Sequence, residues 1–159
     1  MSSFVIRDIE IDPFDPKSIS NAIREVNDVR KKLIPAMKNL IETLTEKGVE
    51  IAKMQLFAFD SPAFDTGALH DSITSGMLDD ETGVVATGVM YAAYVEYGTG
   101  WYASNGSGNE DGWVYYDTRQ GRFRFTYGMP ARPFMYNTFR SLRQYAEENG
   151  GRILAEYLK

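Results

Sequence analysis

Three consecutive residues, His70, Asp71 and Ser72, carry the side chains of a hydrolytic triad: a general base, a carboxylate that orients it and a hydroxyl nucleophile. Such a triad requires the three groups to meet at one point in space, which neighbours in the chain cannot normally do. No other catalytic signature is visible in the sequence. We therefore predict that the protein is not an enzyme.

A second segment that carries ligand-binding groups is residues 101–112, which is rich in glycine, serine and asparagine. Its glycines suggest a phosphate-binding loop, but the Lys-Ser/Thr ending and the following helix of such a loop are missing. Its oxygen-bearing side chains do not have the spacing of an EF-hand calcium loop. They belong to Asn105, Asn109, Glu110 and Asp111. We therefore expect a mobile loop, no metal and no other cofactor.

The composition is that of a globular protein and limits the remaining classes. With 159 residues, of which 43% are hydrophobic and 25% charged, the chain is predicted to form a single domain over residues 1–159. No run of about 18 apolar residues is present, so we expect no membrane helix. The first residues lack the pattern of a secretory signal, so we expect none. The absence of cysteine excludes disulfides and thiolate metal sites.

The charge is unevenly distributed along the chain. The net charge of −5 argues against a nucleic-acid binder, yet the segment Thr118–Ala146 contains six arginines and no carboxylate. The rest of the chain holds 11 of the 17 basic residues and all 22 acidic ones. Arginine is suited to bidentate pairing with carboxylates on another surface. This arginine stretch is therefore a candidate assembly interface, through Arg119, Arg122, Arg124 and Arg132.

Two helices are predicted from the apolar periodicity. The first begins after an N-cap at Ser18, meets a kink or a restart at Pro35 and ends near Phe59. The second begins at about Pro133, and Asn149-Gly150-Gly151 should break or loosen it before its last turns.

The strands are predicted from alternation and turn residues. Residues 4–11 form one strand, and two hairpins follow, one from Ser72–Met77 with Val84–Val89 and one from Trp113–Asp117 with Arg122–Tyr127. Between the hairpins, Tyr91 to Tyr97 is predicted to form a helical turn that stops at the next glycine. The expected fold class is α+β: a small antiparallel sheet of two hairpins plus the N-terminal strand, packed by the long N-terminal helix and the C-terminal helix.

Three motifs follow one another at wide separations. They read Asp-Thr-Gly-Ala-Leu-His-Asp-Ser-Ile from Asp65, Tyr-Ala-Ala-Tyr-Val-Glu-Tyr-Gly-Thr-Gly from Tyr91 and Pro-Ala-Arg-Pro-Phe-Met from Pro130. As an ordered set they resemble the HK97 gp10-like family of tailed-phage neck and tail-completion proteins, over roughly residues 30–158. The matching positions are Asp65, Thr66, Gly67, Leu69, Ser72 and Ile73, then Tyr91, Ala92, Tyr94, Val95, Glu96, Gly98 and Thr99, and finally Pro130, Pro133 and Phe134.

The resemblance implies a structural virion protein without enzymatic activity. Its members are expected to form a ring of identical subunits that joins the head connector to the tail. Its partners would be further copies of itself and other phage head-completion and tail proteins, with DNA contact at most incidental in the channel. It implies a location in the virion neck or tail, and in the host cytoplasm during assembly. The alternative is a small regulatory binding module, toxin–antitoxin-like, that contacts nucleic acid through the arginine stretch.

The residues themselves leave several structural roles open. Asp65 or Thr66 is suited to cap a short helical turn, because its side-chain oxygen reaches free backbone N–H groups. Glu96 is expected to pair with an arginine of the third motif region, to bond to backbone N–H groups or to contact another subunit. Of the chain's 21 aromatic residues, 11 lie between Tyr91 and Tyr127. They are expected in the core, in hairpin cross-strand pairs, on an assembly surface or, least favoured, stacked on nucleic-acid bases.

Overall fold

The computed structural model describes residues 11–59, 67–118 and 120–158. This part of the chain forms both helices and strands. In order they are α1 (Pro16–Gln55), α2 (Ala68–Ser72), β1 (Ile73–Met77), β2 (Gly83–Thr87), α3 (Ala92–Tyr97), a 3₁₀ turn (Gly100–Tyr102), β3 (Trp113–Asp117), β4 (Arg122–Thr126) and α4 (Phe134–Tyr157). The predicted strand at residues 4–11 falls outside the described residues except for its last position, which has no regular structure.

The α+β class and both predicted hairpins are confirmed. Among the described residues, the predicted single sheet is instead two separate two-stranded sheets, β1 with β2 and β3 with β4. The reason lies in the connection, which places α3 and the 3₁₀ turn between β2 and β3. A hairpin can form from local signals alone, whereas joining two hairpins requires their free edges to meet.

Helix α1 begins and continues differently from the prediction. Its N-cap is Asp15, whose carboxylate accepts a hydrogen bond from the Lys17 N–H at 3.0 Å, and Pro16 occupies the first helical position. Ser18 instead accepts a bond from the Asp12 N–H at 2.9 Å. The helix runs through Pro35 without a restart. Proline removes one helical hydrogen bond, and burial of the adjacent Ala36 stabilises the helical turn there.

Helix α4 begins directly after Pro133, as predicted, but the predicted break at Asn149-Gly150-Gly151 is wrong. Two glycines in a helix cost about 1 kcal/mol each relative to alanine. Ion pairs four residues apart support the turns on either side, and the turn that follows buries Ile153. These pairs are Arg143–Glu147 and Arg152–Glu156. Tertiary burial therefore outweighs local propensity.

The chain divides into two compact units. The first contains α1 up to Thr45, the segment Gly76–Val84 and the chain from Arg143. The second contains Glu46–Ser75 and Val85–Leu142. Among its described residues, the first unit buries three apolar side chains, those of Ala22, Ala36 and Ile153. The single-domain organisation stays a prediction.

The second unit has a small core to which all three motifs contribute. Its buried members are Ala52, Leu56, Leu69, Ile73, Ala92, Val95 and Phe134. Phe134 is fully buried at the start of α4, and it is the one aromatic residue among them. Segments that are far apart in the sequence therefore meet in one cluster, which fixes α2, α3 and α4 relative to β1.

Candidate assembly surface

The second and third motifs are joined by the carboxylate of Glu96. Its two oxygens accept hydrogen bonds from the backbone N–H groups of Met135 and Tyr136, at 2.8 and 3.0 Å. These donors lie in the first turn of α4, where backbone N–H groups have no partner within the helix and a negative charge is favourable. In addition, the Arg132 N–H donates to the Val95 carbonyl at 2.8 Å. Of the roles open to Glu96, the carboxylate-to-backbone bond is confirmed.

The glycines after α3 allow two backbone segments to approach closely. Gly98 has a φ of 75°, and a Cβ there would lie 2.7 Å from the Ala131 nitrogen. Gly100 has a φ of 61°, and a Cβ there would lie 2.0 Å from the Tyr127 carbonyl oxygen. Between them, Thr99 bonds to Met129 in both directions: N–H to carbonyl at 2.9 Å and Met129 N–H to the Thr99 hydroxyl at 3.0 Å. The glycines of the second motif are therefore required by backbone packing.

The first motif forms a helix start whose predicted capping residues, Asp65 and Thr66, lie outside the described residues. Gly67 precedes α2 with a φ of 84°, a conformation that favours glycine. The Ser72 hydroxyl donates to the Leu69 carbonyl at 2.8 Å and lies 2.6 Å from the Thr87 hydroxyl. Ser72 therefore contributes to hydrogen bonds between α2 and β2.

The neighbouring His70 and Asp71 form a side-chain pair of their own. The Nδ1 atom of His70 lies 2.8 Å from the Asp71 carboxylate. The remaining motif positions support helix ends. The carbonyl of Tyr91 accepts the first backbone bonds of α3, and that of Pro133 accepts the Asn137 N–H of α4 at 3.0 Å. Pro130 is exposed three residues earlier.

The aromatic residues between Tyr91 and Tyr127 lie on the surface, so the core alternative is wrong for this group. Ten of the eleven are exposed, and only Trp113 is half-buried. The core is filled mainly by aliphatic residues and alanine, which leaves these rings outside it. We call the ten exposed residues the aromatic surface: Tyr91, Tyr94, Tyr97, Trp101, Tyr102, Tyr115, Tyr116, Phe123, Phe125 and Tyr127.

Strand register gives the hairpin β3–β4 two different faces. Successive side chains of a strand alternate between faces, and Tyr116 pairs with Phe123 while Val114 pairs with Phe125. The apolar face therefore consists of Val114, Tyr116, Phe123 and Phe125, all exposed. The opposite, charged face carries Tyr115, Asp117, Arg122 and Arg124. The rings of Tyr116 and Phe123 meet edge to face at 5.2 Å, so part of the predicted hairpin pairing is present.

The arginine stretch contains no carboxylate, yet two of its members reach one just beyond its borders. Arg124 lies 3.4 Å from the Asp117 carboxylate across the hairpin, and Arg143 pairs with Glu147 one helical turn later. Arg122 donates to the Gln120 side chain at 2.9 Å. Arg119 lies outside the described residues. The hairpin and helix α4 thus place carboxylates from outside the arginine stretch beside arginines within it.

A cavity of about 490 Å³ opens beside the aromatic surface. Three aromatic side chains, Tyr94, Tyr97 and Trp113, contribute to its wall, and none of its twelve lining residues is charged. Part of the 101–112 loop closes one side, because Ser104 bonds to the Tyr97 carbonyl through both its N–H and its hydroxyl. Half of the lining residues belong to the second motif, but nothing in that motif's sequence indicates a cavity. The mobility of the loop stays a prediction.

The described residues also bear on the predictions about metal binding and membrane helices. Within residues 11–59, 67–118 and 120–158, no group of three or more His, Asp or Glu side chains is placed to hold a metal ion. None of the helices in these segments is both long and apolar enough to cross a membrane. No protein-family model matches the chain, and no curated protein or solved structure is significantly similar to it.

Proposed function

We propose that the protein is a structural component of a tailed-phage virion, of the neck or tail-completion type, that assembles as a ring and joins the head connector to the tail. The observation that carries the proposal is the aromatic surface, with ten exposed rings in one segment of the second unit. The apolar face of β3–β4 exposes four neighbouring apolar side chains, and contiguous exposed apolar patches commonly mark interaction sites. Tyrosine, tryptophan and phenylalanine are also the residues that interfaces favour.

The positions of the motif residues support the same role. Leu69, Ile73, Ala92, Val95 and Phe134 are buried together. Of the other described motif positions, Glu96 and Thr99 bond backbone segments to one another, and Gly98 allows them to approach. The motifs that carry the family resemblance therefore build a scaffold, and the aromatic side chains that face solvent are left free to bind partners.

The proposed partners are further copies of the chain and other head-completion and tail proteins of the virion. The proposed location is the neck or tail of the particle, with the host cytoplasm as the site of assembly. DNA contact in the channel would be incidental, because a net charge of −5 makes a ring of copies acidic.

A regulatory module that contacts nucleic acid is the second candidate, and the alternation of arginine and phenylalanine from Arg122 to Phe125 favours it. Phosphate contacts and base stacking require the two residue types to approach one ligand. In β4 they lie on opposite faces, which disfavours this use. Tight, salt-dependent binding of the purified protein to single-stranded DNA or RNA would support this candidate over the first.

Deletion of the gene from the phage that encodes the protein tests the proposal directly. We expect negative-stain images to show separate heads and tails, and addition of the purified protein to restore joining. A variant with Trp101 and Tyr102 replaced by serine should join poorly, because both are exposed members of the aromatic surface. Phe14→Ser, at a still more exposed aromatic in the first unit, is the control and should join normally. Intact virions without the protein would overturn the proposal.

A further inference from the structure

We infer that the β3–β4 hairpin of one copy docks into the cavity of a second copy, with Phe123 as the inserted side chain. The inference rests on the proposed ring and names the contact that would build it. It follows from three properties of the second unit: the chemistry of the cavity, the exposure of Phe123 and the separation of charge along the chain.

The cavity is suited to an uncharged aromatic group. All its lining residues are uncharged, so an ionic ligand would lose hydration there without gaining a counter-charge. Aromatic rings stack or meet edge to face, which the side chains of Tyr94, Tyr97 and Trp113 permit. A volume of about 490 Å³ exceeds that of one phenylalanine side chain, so neighbouring hairpin atoms can enter with it.

Phe123 is the most exposed of the described aromatic side chains in this unit, at 74%. Phe123 pairs across the hairpin with Tyr116. This pair lies three residue pairs away from the pair formed by Trp113 and Thr126. At about 3.3 Å per residue, Phe123 therefore lies about 10 Å along the hairpin from the cavity wall of its own chain. It cannot fill its own cavity while the register is kept, whereas a second copy can receive it.

The charges favour this pairing of unlike surfaces. Residues 85–118 of the second unit, which contain every residue lining the cavity, include four carboxylates and no lysine, arginine or histidine. Two of the four, Glu110 and Asp111, are exposed and directly follow the lining residue Asn109. The arginine stretch follows immediately and includes β4. A hairpin that approaches the cavity of another copy therefore brings arginines toward an acidic surface, within the screening length of about 8 Å at physiological salt. Two hairpins that met face to face would instead place arginines beside arginines.

The position of the arginines within β4 suits the edge of this contact. Arg122 and Arg124 lie on the face opposite Phe123, so they border the uncharged cavity without entering it. A contact between a projecting hairpin and a cavity elsewhere on the surface uses two different patches of the same chain. Repeated from copy to copy, such a contact forms a ring when its rotation closes.

Two complementary variants test the inference. Phe123→Ser removes the inserted ring, and Ala93→Trp places an indole in the cavity from an exposed position of α3. In sedimentation velocity, each variant alone should associate at least about tenfold more weakly than the parent. An equal mixture keeps one intact hairpin and one intact cavity, so we expect a dimer of unlike copies and nothing larger. Phe14→Ser, with an exposed aromatic of the first unit replaced, should associate like the parent.

Engineered disulfides give a second, direct measurement, because the natural chain has no cysteine. The double variant Phe123→Cys with Ala93→Cys should form covalent multimers under mild oxidation, visible on a non-reducing gel. Phe14→Cys with Ala93→Cys is the control pair and should remain monomeric on that gel. Circular dichroism of each variant confirms that it is folded.

Several outcomes overturn the inference. They are normal association of Ala93→Trp, failure of the mixture to form a dimer, and absence of cross-linked multimers. A parent that stays monomeric at every concentration does so as well. Normal head–tail joining by Phe123→Ser overturns the contact and leaves the proposed function standing. Intact virions after gene deletion would overturn the proposed function. The cross-linking result would then test the contact by itself.

Discussion

Hairpins β1–β2 and β3–β4 are built from strands of equal length, but their apolar side chains lie in different environments. In the first, Ile73 is 1% exposed and Val85 packs against the core of the second unit. In the second, no residue is buried, and the apolar face of Val114, Tyr116, Phe123 and Phe125 meets solvent. The first hairpin is therefore part of what stabilises the fold, whereas the second presents a surface.

This difference assigns separate tasks to aliphatic and aromatic residues. Burial of aliphatic side chains stabilises the second unit, and hydrogen bonds such as those of Thr99 and Glu96 fix its loops and helix ends. Apart from Phe134, which is fully buried, the core holds no buried aromatic side chain among the described residues, and the ten residues of the aromatic surface are exposed. Substitutions in the two hairpins should therefore separate loss of folding from loss of binding.

The largest expected effect is on the first hairpin. Ile73→Ala should lower the free energy of unfolding by about 3–4 kcal/mol, because it removes apolar contacts and leaves a cavity in the core. Phe123→Ala in the second hairpin should cost less than about 1 kcal/mol, the worth of its edge-to-face pair with Tyr116. Urea unfolding of dilute monomer measures both. Similar losses would mean that the apolar face of β3–β4 is packed in the free monomer.

The next effect concerns the connection between α3 and β3, which carries Trp101 and Tyr102 of the aromatic surface. Gly100→Ala should cost about 2–3 kcal/mol, because alanine is strained at positive φ and its Cβ would overlap the Tyr127 carbonyl. Gly106→Ala is the matched control: its φ of 70° is similar, but no atom lies within 4 Å of the added Cβ. It should cost about 1 kcal/mol. Equal decreases in the thermal midpoints of the two variants would show that the close approach at Gly100 does not add to the cost of the substitution.

The sequence was sufficient for elements whose signals are local. The alternation in both hairpins, the stop of α3 at Gly98 and the start of α4 after Pro133 were each predicted and are confirmed. In these places a glycine, a proline or a two-residue period acts within a few residues. The continuity of α4 through Gly150 was missed, because tertiary packing decides it.

The candidate site was less accessible from the sequence. The partners of Glu96 lie 39 and 40 residues further on and are backbone groups, which no side-chain pattern reveals. The cavity is formed by α3, the loop and β3 together, so no single segment indicates it. The aromatic density was visible, but its exposure depends on which side chains fill the core. That outcome is set by packing in three dimensions, beyond the reach of periodicity.

A smaller effect is expected where α3 meets α4. Glu96→Ala should lower the free energy of unfolding by about 1–2 kcal/mol, because two backbone donors at the start of α4 lose their partner. Glu96→Gln keeps one acceptor oxygen and should lose less. Hydrogen exchange at Met135 and Tyr136 reports the same bonds and should speed up in Glu96→Ala. Unchanged exchange there would contradict the capping role.

The smallest expected effect is in the turn of β1–β2. It separates the contribution of the Asp79 charge from that of the hydrogen bond that Asp79 accepts. The backbone N–H of Glu81 donates to Asp79 at 2.8 Å, and this bond, with a further one to Thr82, holds the pKa of the Asp79 carboxyl below its ordinary value of 3.8. A lowered pKa means that the folded state favours the ionised form. Its stabilisation is therefore present above about pH 3.8 and is lost as the pH falls through the lowered pKa.

Asp79→Asn keeps an oxygen that can accept the Glu81 N–H but cannot titrate, so stability should fall less steeply with acid than in the parent. Thermal midpoints at about pH 6 and about pH 3 measure the difference, which should be small because the carboxyl is fully exposed. Glu110→Gln, which removes an exposed carboxylate from the 101–112 loop, is the control and should keep the parent's pH dependence. If Asp79→Asn and the parent lost equal stability between the two pH values, the turn of the first hairpin would owe nothing to that charge. The hydrogen bond would then act without its charge, and the turn of the second hairpin has a comparable bond, in which Asp117 accepts the Gln120 N–H at 3.1 Å.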